Sequence, residues 1–305
     1  MSGSLVRCMI VDLEKKEVSF LTWARNLLSD GLGTYGIYAA ELRSVWQEDP
    51  DAIALATGPL TGTAVPGAGG MSWCKKGQNG FRLEHTEGRL GAALRCVPAD
   101  HLVMKGTCSE PTDLVIGERG VTFRPVTEGG EEDLWPRLFR ERPDPDSVVA
   151  LMDRDGIRED NCFLIGSREL SGQMRGKGIR AVTVTGLGSV EVEQPQEMLR
   201  QSMLLVSEYR KSGRMTGGRK QPARYLSVNH IWTDASDSPA GLDSLSMPLA
   251  FLGLGWDEEF PGGDSLEAGV RLLNACTGLN WDKEKLRECN MQIERGMRNY
   301  GGEPL

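Results

Sequence analysis

No two of the seven cysteines stand close together: Cys8, Cys74, Cys96, Cys108, Cys162, Cys276 and Cys289 are scattered along 305 residues. With none within four positions of another, the chain has no CxxC or CxxxC run that would form a local zinc or cluster ligand set. Cysteines distant in sequence can still meet in space, but the local reading is of small buried hydrophobes. Histidine is scarce too, with only His85, His101 and His230. His85 and Glu87 spell HxE, yet no PCxxC follows to complete a deaminase-type zinc site. His230 and Asp234 are four apart with no third ligand nearby. GxSxG and HExxH are absent, and with them two hydrolase signatures. The sequence therefore offers no metal ligand set and no catalytic residue of its own.

Also missing are a basic excess and a long apolar run. The formal net charge of −8 argues against a protein-wide nucleic-acid surface. No segment approaches the roughly 18 apolar residues of a membrane span. The opening MSGSLVRCMIVDLEKK meets Arg7 and Asp12 too early for a secretory core. The expectation is a cytoplasmic protein with reduced cysteines and small-molecule or protein partners, without nucleic acid or membrane. What is abundant is glycine: 38 residues, alongside 39% hydrophobic content, describe a loop-rich globular chain of one large or two ordinary domains.

Along the chain, LVRCMIVDL and EVSFL read as strands joined by the charged turn Glu14–Lys16. Trp23–Leu28 and Ile37–Trp46 carry helical spacing. Strand-sized runs follow at Ala52–Ala56, Ala92–Val97, Leu102–Lys105, Asp113–Ile116 and Val121–Phe123. Residues 126–147 read as an irregular excursion, Val148–Asp153 as a helical turn, and Gly178–Gly186 as a strand rich in β-branched residues. Pro195–Arg210 has the pattern of a long amphipathic helix. Arg210–Arg224 holds six basic residues and no acidic one, and reads as a loop at a domain boundary. Asp264 with Glu267, and then Asp282, are placed to start two C-terminal helices, the second carrying Leu286, Cys289, Ile293 and Met297 and stopped by Gly301 and Gly302.

One stretch suggests a ligand. Ile53–Gly70, IALATGPLTGTAVPGAGG, is an apolar run that breaks into five glycines and two prolines with Thr57, Thr61 and Thr63 among them. Backbone N–H groups freed of a Cβ can approach an anion closely, so this composition fits a phosphate cradle; on composition alone a tight, solvated connection between two strands fits it better. Two other glycine patterns fail. Gly31, Gly33 and Gly36 form a literal GxGxxG, but the residues before it read as helix instead of strand. GQMRGKG at 172–178 is one residue short of a P-loop and has Gly178 where Ser or Thr belongs.

Several segments taken in order resemble the tungsten-containing aldehyde:ferredoxin oxidoreductases. VRCMIVDLEKKEVSF (6–20) is similar to that family's first hairpin, and LSDGLGTYGIYAAEL (28–42) to its glycine-rich helix entry. ATGPLTGTAVPGAGG (56–70) resembles its GPLTGT loop, the most specific match. LGAALRCVPADHLVMKGTCSEPTDLVI (90–116) follows its next helix, strand and hairpin, and MRGKGIRAVTVTG (174–186) the end of its N-terminal domain. DSPAGLDSL (237–245) and residues 272–299 resemble segments of its last helical domain.

The resemblance implies an α+β protein: a β-rich domain of two packed sheets over residues 1–190, a helix and basic linker over 191–230, and a smaller helical part over 231–305. It also implies a tungsto- or molybdopterin site. By carry-over the cofactor-binding positions would be Gly58, Thr61, Gly62, Thr63, Gly69, Gly70, His85, Thr86 and Gly88, with Arg168 and Lys177 as further polar groups. The departures are as informative. The family's CxxCxxxC middle has no counterpart between Gly186 and His230, and Asp243 stands where the fourth cluster cysteine would be, so a [4Fe–4S] site is not expected. The arginine that follows the family's loop falls on Gly70, and its Asn-Ser-Gly-Gly stretch on His85, Thr86, Glu87 and Gly88. The expectation is a shortened, degenerate member acting as a non-catalytic accessory subunit, as a homo-oligomer or with a larger oxidoreductase subunit. The alternatives are a protein still binding a pterin or nucleotide at Gly58–Gly70, and a ligand-free self-assembling module.

Overall fold

The computed structural model describes residues 5–24, 43–65, 68–77, 80–97, 99–126, 131–159, 162–163, 168–186, 190–211, 230–231 and 265–288. β1 (Leu5–Asp12) and β2 (Glu17–Ala24) form an antiparallel hairpin with Asp12 opposite Glu17. The Asp12 carboxylate accepts the Lys15 N–H at 3.0 Å, and Lys16 takes the left-handed conformation at φ 55°. α1 (Arg43–Glu48) leads into β3 (Ile53–Thr57), and a second hairpin follows from β4 (Gly70–Gly77) and β5 (Gly80–Glu87). α2 (Arg89–Cys96) connects to β6 (His101–Lys105), which lies parallel to β1 and antiparallel to β3. With the short β13 (His230–Ile231) these strands make a seven-stranded sheet in the order β13-β5-β4-β3-β6-β1-β2.

The second sheet has six strands in the order β11-β10-β9-β12-β7-β8. Its members are β7 (Thr112–Gly117), β8 (Gly120–Pro125), β9 (Val148–Met152), β10 (Ile157–Glu159), β11 (Cys162–Phe163) and β12 (Ile179–Val184). α3 (Glu131–Arg140) and α4 (Arg168–Gly176) join these strands. α5 (Pro195–Lys211) and α6 (Ser265–Thr277) then form the helical C-terminal part with a last turn of helix over 283–288. The fold is thus the two-sheet α+β arrangement expected. Among the described residues no helix is long and apolar enough to cross a membrane.

Alternation along each strand decides what it meets. In the first sheet Met9, Val11, Ile53, Leu55, Met71, Trp73, Leu102 and Met104 point into a core shared with the second sheet and with Leu90 and Leu94 of α2 and Leu170 and Met174 of α4. The opposite face carries Cys8, Ile10, Ala54, Ala56, Cys74 and Val103 against Trp46 of α1, Met198 and Leu205 of α5, and Leu266, Val270 and Leu273 of α6. Burial on both faces is why β1, β3 and β6 read as continuous apolar runs. A third cluster closes the outside of the second sheet, where Leu134, Trp135 and Leu138 of α3 cover Val149, Leu151 and Ala181.

Four local expectations are corrected. Of the run Ala92–Val97, all but Val97, the extended residue that ends it, belong to helix α2, because Leu90, Gly91 and Leu94 bury at helical spacing and Ala and Leu favour that state. Val148–Asp153 is strand β9, with all five residues Val148–Met152 buried between β12 and β10; a run this short carries no period that separates strand from helix. The excursion at 126–147 contains α3, which forms despite Pro136 because its apolar stripe has a sheet to cover. Trp23 and Ala24 continue β2 opposite Val6 and Leu5. The C-terminal part agrees where it is described: Leu266, Val270 and Leu273 are buried, and the Asp282 carboxylate accepts the Lys285 N–H at 2.8 Å as a helix cap. Asp264, the Gly31–Gly36 pattern, residues 212–224 of the basic run, and Cys289 to Gly302 lie outside the described residues.

One buried charge ties the second sheet together. Asp113 in β7 is fully buried; its carboxylate accepts Nε and Nη2 of Arg124, its cross-strand partner, at 3.1 and 2.5 Å, and the Thr183 hydroxyl at 3.1 Å. Burial pushes the Asp113 carboxyl above its ordinary value, and Arg124 opposes that shift. A raised folded pKa gives stability that is fully present below the unfolded pKa and is lost as pH rises through the folded one. Removing the guanidinium raises the folded pKa further, so Arg124→Met is expected to cost about 3 kcal/mol near neutral pH and clearly less in acid. Urea unfolding at the two pH values checks this, and equal losses at both would contradict it.

Candidate functional site

The glycine-rich stretch leaves β3 at Thr57 and returns as β4 at Gly70. Its backbone donors turn inward. The Gly58 N–H donates to the Thr61 hydroxyl oxygen at 2.9 Å, and that hydroxyl donates to the Gly70 carbonyl at 2.7 Å, so a side chain with no exposed surface staples the two ends of the loop. The N–H groups of Thr61, Gly62, Thr63 and Ala68 donate to the carbonyls of Gly58, Ala68, Leu60 and Val65 at 2.7 to 3.1 Å. The Thr63 hydroxyl also donates to Leu60 O, at 2.7 Å. Gly62 makes its turn at φ +79°, a conformation that other residues rarely adopt.

What approaches the glycines is another part of the chain. A Cβ on Gly69 would lie 2.8 Å from the Gly88 carbonyl, and one on Gly91 would lie 2.7 Å from the Gly69 carbonyl. The first turn of α2 therefore packs backbone to backbone on the end of the loop. From the other side Leu60, Val65 and Ala68 are buried with the residues of α5 and α6, and the Cys276 thiol donates to the Pro59 carbonyl at 3.4 Å. Loop, helix start and C-terminal helix form one closed corner.

The start of α2 is satisfied from a distance. Gly88 has no side chain to cap the helix, and its first turn contains no acidic residue. The acceptor comes from β10 of the other sheet: Glu159, 5% exposed, takes the Arg89 N–H on Oε2 at 2.7 Å and the Leu90 N–H on Oε1 at 2.8 Å. Sequence reading missed this residue, because 70 positions separate it from the helix it caps and no local motif announces it.

The structure gathers Gly58, Thr61, Gly62, Thr63, Gly69, Gly70, Thr86 and Gly88 at this corner, with Thr86 buried opposite Met71 and His85 paired with Ser72 in the ladder. Two of the carried-over residues are elsewhere. Lys177 donates to Asp49 Oδ2 at 3.2 Å and to Gly106 O at 3.0 Å. Asp49 precedes β3 whereas the loop follows it, so the five-residue strand puts the ammonium roughly 15 Å from the corner. Arg168 is exposed at the head of α4, a helix packed on the second sheet. GQMRGKG is no phosphate loop: it is the end of α4 and a turn in which Gly178, at φ +82°, fits against Cys108. His101 is a buried β6 residue and His230 pairs with Leu83.

Comparison with known proteins falls on this same region. Residues 8–149 match the sequence model of the aldehyde ferredoxin oxidoreductase N-terminal domain. No curated protein matches the chain. Among solved structures, the active site complex BamBC of benzoyl coenzyme A reductase, in complex with 1,5-dienoyl-CoA, is similar with a TM-score of 0.58 at 18% identity. The similarity covers 71% of this chain and 36% of that one, so this chain spans about a third of its neighbour's length and shares its fold.

The Thr61 hydroxyl is a testable hinge of the corner. Thr61→Val keeps the shape and leaves a buried N–H and a buried carbonyl without their partner, with an expected loss of about 2 kcal/mol. Thermal unfolding measures it, and an unchanged midpoint would contradict the stapling role.

Proposed function

On the match of residues 8–149 to the aldehyde ferredoxin oxidoreductase N-terminal domain, we propose that this chain is a non-catalytic member built on that domain, an accessory or partner subunit of a larger tungsten or molybdenum oxidoreductase. One observation carries the reading. Seven N–H groups of the corner, those of Gly58, Thr61, Gly62, Thr63 and Ala68 in the loop and of Arg89 and Leu90 at the start of α2, are already donated to acceptors inside the chain. The residues present do not fit a pterin bound through this loop, and no chemical step is assigned to one. A cluster fares no better, since the cysteines have no ligand spacing and Asp243 holds the position that the resemblance gives to a cluster cysteine.

A partner role draws support from two directions. The solved neighbour is described as part of a complex of its enzyme. In this chain α5 leaves Leu199, Met203 and Leu204 exposed at 55, 65 and 48%, apolar area of the kind that protein contacts cover. In this proposal the domain division at residue 190 separates the retained two-sheet scaffold from the helical face that would meet a partner. The rival reading, a chain that handles one pterin or nucleotide at the loop, has to compete with the internal bonds that the Gly58, Thr61, Gly62, Thr63 and Ala68 N–H groups make as folded.

Anaerobic purification followed by elemental analysis and a visible spectrum decides between them. The expected protein is colourless, with tungsten, molybdenum and iron far below one atom per chain. Stoichiometric tungsten or molybdenum together with iron would overturn the proposal.

A further inference from the structure

An open groove of about 700 Å³ runs between α3 and the segment that follows it, on the outer side of the second sheet. Its floor is aromatic. Trp135 is buried against the sheet and Phe139, one turn on, is 40% exposed, with ring centroids 5.8 Å apart and planes tilted by 33°. A guanidinium lies over each ring: Arg142 is 3.8 Å from the Phe139 centroid, and Arg158 of β10 is 5.7 Å from that of Trp135. Pro136, Pro143 and Pro145 form the walls with Arg140 and Asp144. The far wall is held by its own bonds. The Asp144 carboxylate accepts the Asp146 N–H at 2.8 Å, the Ser147 N–H donates to the Asp144 carbonyl at 3.2 Å, and Arg124 Nη1 donates to the Glu141 carbonyl at 3.0 Å. Proline and these bonds fix the groove before anything enters it, which lowers the ordering cost of binding.

We propose that this groove docks an acidic segment of a partner protein, with an aromatic or proline side chain laid on Phe139 and carboxylates on Arg140 and Arg142. Charge decides the occupant. The chain carries a formal net charge of −8, yet two arginines line this groove against one aspartate, whose carboxylate is bonded within its own turn. Among the described residues Arg140 and Arg142 have no carboxylate partner, whereas Arg124, Arg200 and Arg271 each have one. A guanidinium stacked on a ring keeps its N–H edge for a planar carboxylate, which it can bind through two hydrogen bonds. The groove is too open to bury most of a small ligand, as pockets for such ligands do, and an extended chain can instead run along it. A nucleic acid would bring phosphates across a surface of the same sign as its own. The groove lies across the second sheet from α5 and the glycine loop, both of which pack on the far face of the first sheet. It therefore adds a surface that the accessory-subunit reading neither uses nor requires.

Fluorescence anisotropy on the full chain tests it. The probes are short fluorescein-labelled peptides of Glu and Asp with Phe, Trp or Pro at their centre. Controls are the same peptides with Lys in place of every acid, the same peptides with Ser at the centre, and a labelled oligothymidylate of equal length. At least one acidic probe should bind with a Kd below about 100 μM at low salt, and its Kd should rise with salt. Arg140→Gln with Arg142→Gln should weaken it about tenfold or more, as should Phe139→Ser. Arg200→Gln, on α5, should leave it unchanged. All of these side chains are at the surface, so the variants should keep the parent's thermal midpoint; if Phe139→Ser does not, the arginine pair alone decides. Failure of every acidic probe to bind overturns the proposal. So does binding that survives loss of both arginines, equal binding of the Lys or Ser controls, or tighter binding of the oligonucleotide.

Discussion

A helix that begins inside a protein must find acceptors for its first N–H groups, and α2 begins at the seam of two sheets with Leu90 already buried. Its preceding residue is a glycine with no capping group, so the acceptor has to come from another element. Glu159 on β10 supplies it. With that contact in place, Gly91 can lie against the Gly69 carbonyl, Gly69 against Gly88, and the loop can close around Thr61. Losing any one of these would leave buried polar groups unpaired, at a cost of the order of 1–3 kcal/mol each. The loop, the helix and both sheets are thus coupled through a handful of backbone groups.

The same corner explains how two cores coexist around one sheet. Strands β1, β3 and β6 are apolar on both faces, with Met9, Ile53 and Leu102 facing the second sheet and Cys8, Ala54 and Val103 facing the helices. The helical side of β3 is lined by Ala52, Ala54 and Ala56, small residues beside which Trp46 and the α5 and α6 side chains pack. The C-terminal helices therefore do more than follow the β-rich part: through Leu60, Val65, Ala68 and the Cys276 thiol they cover the outside of the glycine loop.

Much of the scaffold was readable from the residues. The β1–β2 hairpin has a charged turn between two apolar runs, β12 has β-branched residues between glycines, and α5 is long enough for its period to show. Short runs misled. Ala92–Val97 and Val148–Met152 are each too brief to display a period, and burial of β9 on both faces removed the alternation that would have marked it as strand. At the candidate site the family-like loop brought Thr61, Gly62, Gly69, Gly70 and Gly88 to one place, because adjacency in sequence and one hairpin suffice for that. Lys177 was grouped with them as a further polar group, and tertiary structure sets it at the other end of β3. Glu159 was illegible for the same reason in reverse, since only the packing of one sheet on the other brings it to Arg89.

The proposed partner-facing role asks only that the scaffold remain. The central claim, that the corner is closed by its own hydrogen bonds, is most directly tested by native-state amide exchange on the unliganded protein. The N–H groups of Gly58, Thr61, Gly62, Thr63, Ala68, Arg89 and Leu90 should exchange only through large-scale opening, as slowly as those of the central strands. Rapid exchange of these amides while β3 and β6 stay protected would show an open cradle and contradict the account.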